Sequence, residues 1–267
     1  MENQIPTKIE LDSEEVNFGK IHRDFSETPY GKKLSDQIRW ARFKPENTTN
    51  EKWNKLFGAD VNNLEHLKLT YGLTRQFIKY LNEKKQLTKE EQENLLLAAT
   101  VHDWAEAITG DLSYYLRTEE NEREELIYLE KIIREICGQD EKLFFRMKFV
   151  IDEIVHNKDS KLGKMFNAIE KVGYVRTSIR AYNESKKVNG ELKIALIRMA
   201  LEATPDQVRM LLDYAKIYPP VAIYLKENKE IINDIFKDAE NLDINTRKNI
   251  PKFEESREKW LSESLQL

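Results

Sequence analysis

Residues 95–111 read LLLAATVHDWAEAITGD, a segment in which the longest apolar stretch of the chain runs into its single His-Asp pair. The apolar part, Leu95 to Val101, predicts a helix buried at the centre of the fold. His102 and Asp103 follow directly, and burying two ionisable side chains costs on the order of several kcal/mol unless they are paired or bind a metal ion. The segment therefore predicts both the middle of the hydrophobic core and a candidate metal site.

The rest of the sequence predicts an all-α fold, because residues that break helices are rare. Nine Gly and seven Pro among 267 residues are about half of the roughly 12 % expected for the two together. A capping box formed by Thr88 and Glu91 marks the start of the central helix, which we expect to end at Gly110. Apolar residues recur at helical spacing in roughly ten segments. The clearest of the others are residues 33–42, 62–82, 117–135, 141–156 and 160–182. Either Asp159 or Ser160 is expected to cap the last of these.

Composition and charge exclude several classes of protein. The net charge is −4 and no basic run dominates, so general nucleic-acid binding is not expected. The single cysteine, Cys137, rules out an intrachain disulfide and is expected to be a small buried hydrophobe. The N-terminal residues 1–20 have no apolar run, unlike a signal peptide, and the longest apolar stretch is too short to span a bilayer. We therefore expect a cytoplasmic protein without membrane segments.

Three predicted helices each place a candidate metal ligand toward the centre of the bundle. His66 lies on the first long helix, and Glu170 interrupts the apolar face of a later one. With His102 and Asp103 they make two imidazoles and two carboxylates, a donor set that suits Mn, Fe, Co, Ni or Zn. A lone buried histidine is more often only hydrogen-bonded, so the interpretation of His66 depends on the whole set. An ion held by such a set can acidify water and polarise a phosphate or acyl group, which is hydrolase chemistry.

Four local strings carry a resemblance to a known family: IRW at residues 38–40, LEH at 64–66, HDWAEAITGD at 102–111 and KMFNAIEKV at 164–172. They resemble the HD-domain superfamily of metal-dependent phosphohydrolases. The likeness is greatest to its branch of bacterial 5′-deoxyribonucleotidases and related eukaryotic proteins. The family places a His on one helix, a His-Asp pair on a second and an Asp on a third. The string at 102–111 matches the family pattern HDxxExxxGD and is the most specific of the four.

The resemblance covers about residues 33–185 and implies three parts of the chain. Residues 1–32 would be an N-terminal extension, in which several helix-breaking residues predict weak structure. Residues 33–185 would be the HD-domain core, and residues 186–267 a C-terminal helical extension packed on that core.

The resemblance also implies a reaction, the removal of phosphate from a nucleoside 5′-monophosphate or similar small phosphomonoester by metal-activated water. One divalent ion (Mn, Co, Fe, Ni, Zn or Mg) would be bound by the four candidate ligands, which are His66, His102, Asp103 and Glu170. Glu106 would act on the attacking water or the leaving oxygen, and Asp111 would support the water or the substrate. Arg39 would bind the phosphate through its planar guanidinium group, and Trp40 would line the sugar pocket. Dimers are common in this branch, so a homodimer is an expectation by analogy.

Plainer interpretations of the same residues stay open at this point. Arg39 and Trp40 fit an ordinary surface pair, Glu106 fits a hydrogen-bond partner of the ligands, and Asp111 fits a helix terminator. The main departure from the family is Glu170, which stands where the family has Asp and is one methylene longer.

That departure keeps two other hypotheses in view. The first is a non-catalytic HD-fold protein that binds a nucleotide or a partner at an altered metal site. The second is an iron-dependent oxygenase on the same scaffold, although only one histidine, His156, lies between Asp103 and Glu170. We expect a single ion, with His156 and His22 outside the site.

Overall fold

Helices make up the described part of the chain, and the all-α prediction is confirmed. The computed structural model describes residues 16–57, 62–82, 86–110, 118–243 and 247–267. Those ranges contain no strand, and one isolated antiparallel bridge pairs Ile38 with Asn62.

The α-helices, in chain order, are α1 (Phe18–Glu27), α2 (Pro29–Asp36), α3 (Asn50–Phe57), α4 (Asn63–Asn82), α5 (Lys89–Val101), α6 (Glu106–Thr109), α7 (Glu119–Cys137), α8 (Glu141–Val150), α9 (Lys161–Ser185), α10 (Gly190–Ala215), α11 (Pro219–Glu227), α12 (Lys229–Glu240) and α13 (Phe253–Glu263). Short 3-10 helices lie at Ala41–Phe43 and Ser264–Gln266, and a π-helical turn lies at Ile151–His156.

The starts of the two central helices follow from local hydrogen bonds that the sequence predicts. Thr88 Oγ1 accepts from the amide of Glu91 at 3.1 Å, while Glu91 Oε2 accepts from the amide of Thr88 at 2.8 Å, which completes the capping box of α5. Ser160 Oγ caps α9 by accepting from the amide of Gly163 at 2.9 Å. Both helices therefore begin where the sequence predicts.

The end of the central helix differs from the prediction. Instead of running to Gly110, α5 ends at Val101, and the chain makes a tight turn before α6 starts at Glu106. In this turn the backbone bonds span three residues, as from the amide of Trp104 to the oxygen of Val101 at 3.1 Å. The turn holds His102 and Asp103, so the prediction of one unbroken helix is wrong at the candidate site.

The segment before α3 also differs from the predicted helix over residues 33–42. Helix α2 ends at Asp36, and Trp40 adopts the left-handed conformation with φ 61° and ψ 21°. A bulky side chain rarely takes this conformation, so the local structure around Trp40 must hold it in place.

The N-terminal segment is helical where the sequence predicts weak structure, and for residues 18–32 that expectation is wrong. Phe25 of α1 and Leu34 of α2 are fully buried in the main hydrophobic core. The Phe25 ring stacks on Trp104 with the ring centroids 4.2 Å apart. Thr28 joins the two helices by capping α2 ahead of Pro29, a residue well suited to the first helical position.

Two clusters of apolar side chains hold the bundle together. The main core gathers α1, α2 and α4 to α13, and it includes the C-terminal side chains Val221 and Trp260. A smaller cluster around Trp53 of α3 packs on Leu196 of α10 and Ala181 of α9. Helix α9 contributes to both clusters and lies at the centre of the bundle, where its apolar residues are buried on several faces.

Two predictions from composition can be compared with the fold. Cys137 is buried, as predicted, and burial raises the pKa of its thiol to about 11. Within the described ranges, the helices lack an apolar stretch of the length that crossing a bilayer requires.

Candidate metal centre

Two segments bring three potential metal ligands to one buried point. His66 lies in the first turn of α4, while His102 and Asp103 lie in the tight turn after α5. One ligand atom from each of the three lies within 4.8 Å of the others. Asp103 Oδ2 is 3.2 Å from His102 Nε2 and 3.7 Å from His66 Nε2. Both histidines are 3 % exposed, so this convergence takes place inside the protein.

The hydrogen bonding of His102 leaves one nitrogen directed at acceptors. Its Nδ1 lies 3.2 Å from the carbonyl oxygen of Ala99, a contact that needs a proton on Nδ1. Nε2 is buried and has no hydrogen-bond partner among the described residues, although oxygens of Asp103 and Glu170 lie 3.2 Å and 3.4 Å away. A lone pair that faces carboxylate oxygens is stable only with a cation or proton among them, and a backbone bond from the other ring nitrogen is usual for histidines that bind metals.

The electrostatics of the metal-free cluster also indicate a place for positive charge. Burial by itself lowers the pKa of His102, but the Asp103 and Glu170 carboxylates outweigh burial and raise that pKa above its ordinary value. Burial also disfavours the charged form of Asp103, and by itself it raises the pKa of that carboxyl group. The nearby positive charge of His102, with smaller effects from His66 and Arg39, holds that pKa well below its usual range. A bound metal ion would take the place of the proton that the metal-free cluster shares.

Glu170 reaches the cluster from α9 and lies to one side of it. Its Oε1 is 3.4 Å from His102 Nε2, and its side chain is 25 % exposed. It is not part of the compact group formed by His66, His102 and Asp103. One turn before it on α9, Phe166 packs edge-on against the His102 ring, with the centroids 5.4 Å apart. The structure thus brings the fourth predicted ligand beside the other three.

Arg39 and Trp40 border the same site. Arg39 is 3 % exposed, so the alternative of an ordinary surface pair is wrong for this residue. Its guanidinium carbon lies 5.9 Å from the Trp40 ring centroid and 5.8 Å from that of Tyr174. The Trp40 and Tyr174 rings meet edge to face at 5.8 Å, and Trp53 Nε1 donates to the Arg39 carbonyl oxygen at 3.2 Å. These contacts hold the left-handed Trp40, and strained residues of this kind cluster at functional sites.

A cavity of about 510 Å³ connects these groups. It starts at His102, Asp103 and Glu170 and is bordered by Arg39 and Trp40. Its wall also contains residues that are not predicted to belong to the site, namely Glu125, His156, Lys158, Asn167, Lys171, Tyr174, Glu202 and Gln207.

His156 lines the cavity, although the sequence predicts it to lie outside the site. It ends the π-helical turn and lines the cavity, and such turns occur frequently at functional sites. Lys171 is 7 % exposed in the same wall, and burial lowers the pKa of its ammonium group to about 8. A sequence signal for Tyr174 does exist, because a residue four positions after Glu170 lies on the same face of a helix. His22, in contrast, lies on α1 and is not among the cavity residues.

Of the two predicted catalytic residues, Glu106 lies in the described part of the chain and Asp111 does not. Glu106 is 2 % exposed, and its Oε2 accepts a hydrogen bond from Asn63 Nδ2 at 2.8 Å. It is not among the described residues that line the cavity. Asp111 falls outside the described residues.

Comparison of the chain with protein-family models, with curated proteins and with solved structures found no match. The interpretation of the site therefore depends on its own geometry and on the motifs of the sequence.

Proposed function

We propose that this chain is a metal-dependent phosphohydrolase that removes phosphate from a nucleoside 5′-monophosphate or a similar small phosphomonoester. The observation that carries the proposal is the buried Nε2 of His102, which faces the carboxylates of Asp103 and Glu170 without a hydrogen-bond partner among the described residues. The resemblance of residues 102–111 to the pattern HDxxExxxGD supports the same chemistry.

The residues present fit a divalent ion. His66, His102 and Asp103 would hold it, and Glu170 would complete the set from α9. Two imidazole nitrogens with carboxylate oxygens suit Mn, Fe, Co, Ni or Zn, and Mg is the further candidate. When bound, such an ion supplies Lewis acidity, which lowers the pKa of water and offsets the charge of a phosphate.

The chain's own side chains account for substrate binding in this proposal. Arg39 presents a planar, permanently charged group beside Asp103 and binds the phosphate oxygens, with the greater strength that a buried environment allows. Trp40 and Tyr174 offer ring surfaces to the sugar and base. The cavity of about 510 Å³ is of the size that small-molecule ligands occupy. Glu106 holds or moves a proton of the attacking water or the leaving oxygen, and Asp111 supports the water or substrate.

Phosphate release from a panel of 5′-nucleotides tests the proposal. The protein is freed of metal with a chelator, reloaded with Mn²⁺, Co²⁺ or Mg²⁺, and assayed beside His102→Ala and the matched control His22→Ala. We expect turnover with at least one ion, lost in His102→Ala and kept in His22→Ala. A wild-type protein that holds one ion per chain and releases no phosphate from any nucleotide would contradict the proposal.

The position of Glu170 favours a second candidate, a non-catalytic HD-fold protein that binds a nucleotide or a partner. Glu170 stands where the resembling family has Asp, and it lies outside the compact group of three ligands. Metal analysis separates the two functions, because a stoichiometric ion that is lost in His102→Ala and Asp103→Ala argues against a degenerate site. If Glu170→Asp gains phosphate release that the wild type lacks, the second candidate is supported.

The proposal also includes the cellular location and the oligomeric state of the protein. We propose a cytoplasmic protein with a small-molecule substrate, on the evidence of its composition, and a homodimer by analogy with the resembling branch. Light scattering on the purified chain measures the mass directly, and a monomer at micromolar concentration would remove the dimer from the proposal.

A further inference from the structure

Three segments that carry candidate site residues meet at one buried side chain, Asn63. Its Nδ2 donates to Glu106 Oε2 at 2.8 Å and to Gln37 Oε1 at 3.0 Å. Gln37 closes the ring by donating from Nε2 to the backbone oxygen of Glu106 at 2.9 Å. The backbone adds a bond from the amide of Asn63 to the oxygen of Gln37 at 3.1 Å. Asn63 therefore bridges the segment before Arg39 and the segment after Asp103.

The chemistry of this network fixes the orientation of the Asn63 amide. Gln37 Oε1 and Glu106 Oε2 both accept, so the nitrogen of Asn63 must face them. Asn63 is fully buried, and its Oδ1 has no hydrogen-bond partner among the described residues. A buried acceptor without a partner costs about 1–3 kcal/mol, so the two bonds from Nδ2 are retained at some expense in stability.

We propose that Asn63 is a positioning residue, which holds the Glu106 carboxylate in place and, through Gln37, ties it to the segment that carries Arg39. This inference rests on the proposed function, in which Glu106 handles a proton and Arg39 binds the phosphate. Asn63 lies three residues before the ligand His66, and Glu106 lies three residues after the ligand Asp103. The network thus adjoins two of the proposed ligands along the chain, and loss of a bond that supports a metal site typically lowers metal affinity or activity about 10–100-fold.

The two bonds of Asn63 predict different kinetic effects. Asn63→Leu keeps the size of the side chain and removes the donor to Glu106, so kcat is expected to fall about 10–100-fold with KM within about twofold of wild type. Gln37→Leu loosens the segment of Arg39, which contacts the phosphate before and during the reaction. We expect it chiefly to raise KM, on the order of fivefold to tenfold.

A matched control lies on the same helix. Thr74 is fully buried in α4, and its Oγ1 donates to the oxygen of Thr70 at 2.8 Å. Thr74→Val replaces a buried polar side chain by an apolar one of similar shape, away from the network. It is expected to leave kcat and KM unchanged, so it controls for a general loss of stability.

The experiment measures kcat, KM and the Mn²⁺ dissociation constant for wild type and the three variants. A fall in kcat for Asn63→Leu, with raised KM for Gln37→Leu and neither in Thr74→Val, supports the inference. An active wild type in which Asn63→Leu behaves like Thr74→Val overturns the inference and leaves the proposed function intact. If Asn63→Leu does not fold, Asn63→Ser, which can give only one of the two hydrogen bonds, is judged by the same criteria.

The Mn²⁺ constant decides the inference if the proposed reaction fails. A wild type that binds Mn²⁺ without releasing phosphate contradicts the proposed function. The inference is then supported if Asn63→Leu weakens Mn²⁺ binding about tenfold or more and Thr74→Val does not. It is overturned if the two variants bind Mn²⁺ equally. A wild type with neither metal nor turnover overturns both proposals.

Discussion

Two buried polar clusters in this protein differ in how their hydrogen bonds are completed. In the first, Arg146 of α8 donates to Glu93 Oε2 at 2.8 Å and, from two nitrogens, to Asn94 Oδ1 at 3.2 Å. In each of these bonds a nitrogen donor of Arg146 faces an oxygen acceptor. The bonds join α5 to α8. In the second, around His102, acceptor faces acceptor, and Nε2 has no partner among the described residues. Both clusters are buried, so burial alone does not distinguish them.

A polar cluster that supports a fold therefore differs from a candidate ligand site in whether its bonds are completed within the protein. A buried charge that serves stability needs its partner within the protein, as Arg146 has in Glu93. A ligand site leaves part of its bonding capacity open toward a common space.

The largest effect is expected from His102→Ala. Removing the nitrogen that faces both carboxylates should abolish stoichiometric metal binding and lower phosphate release on the order of a thousandfold, since the ion supplies several kcal/mol of transition-state stabilisation. Metal analysis by mass spectrometry and a phosphate assay check this, with His22→Ala as the control. Retention of one ion per chain in His102→Ala would contradict the assignment of the metal site to the His102 cluster.

The second effect is on stability alone. Arg146→Ala leaves the Glu93 carboxylate with only the longer Lys89 ion pair, at 3.8 Å, and removes the donors to Asn94 Oδ1, so it should lower the free energy of unfolding by about 3 kcal/mol. Metal content should stay at the wild-type value because the Arg146 cluster binds no ion. Urea denaturation measures the change, and Lys148→Ala is the control, because it breaks the partly exposed ion pair with Glu130 and should cost less than about 1 kcal/mol. Loss of metal in Arg146→Ala would show that the two clusters are not independent.

A smaller effect is expected from Glu170→Gln, which removes the charge of the proposed ligand that approaches from the side. We expect metal affinity to fall about tenfold, which is less than the loss in His102→Ala. Competition with a fluorescent chelator measures the dissociation constant. Glu202→Gln is a matched control, because Glu202 lines the same cavity from α10 and is already paired with Arg198, whose Nε donates to Glu202 Oε1 at 2.6 Å. Equal affinities for the two variants would remove Glu170 from the ligand set.

The smallest effect is the pH dependence of stability in the metal-free protein. The pKa of His102 is raised in the folded state, so its contribution is complete below about pH 6.5 and is lost as the pH rises through the folded value. The pKa of Asp103 is lowered, so its contribution is complete above about pH 3.9 and is lost as the pH falls through its folded value. Between these limits the cluster stabilises the metal-free fold most.

Metal loading should remove the loss of stability on the alkaline side. Binding requires a neutral His102, so the stability of the loaded protein should rise as the pH approaches about 6.5 and then stay level, while that of the metal-free protein falls as the pH rises from about 6.5 through the folded pKa of His102. Thermal unfolding with and without chelator measures both trends. If His102→Ala shows the wild-type pH dependence without metal, the assignment to His102 is contradicted.

The parts of the fold that the sequence predicts well depend on local chemistry. The capping box at Thr88 and the Ser160 cap appear where predicted, because each involves residues only three apart. The convergence of His66, His102, Asp103 and Glu170 was predictable because ionisable residues on apolar faces need partners.

The parts that the sequence does not predict depend on contacts between distant segments. The turn at 102–105 replaces a helix that local propensity favours, and α1 is held by the packing of Phe25 on Trp104. His156 joins the cavity wall only through the arrangement of whole helices. The bond from Asn63 to Glu106 joins residues 43 apart in the chain, and no local pattern signals it.

The stack of Phe25 on Trp104 makes the protein its own optical probe. Trp104 is fully buried next to Asp103, and its ring lies within 2° of parallel to that of Phe25. Aromatic rings held in fixed packing give near-ultraviolet circular dichroism, a signal that disappears when the packing loosens. An ion that settles the turn around Asp103 should therefore change this spectrum in the unlabelled chain, and Phe25→Ala should abolish much of the change. The rate of metal binding can then be followed by circular dichroism, independently of any reaction.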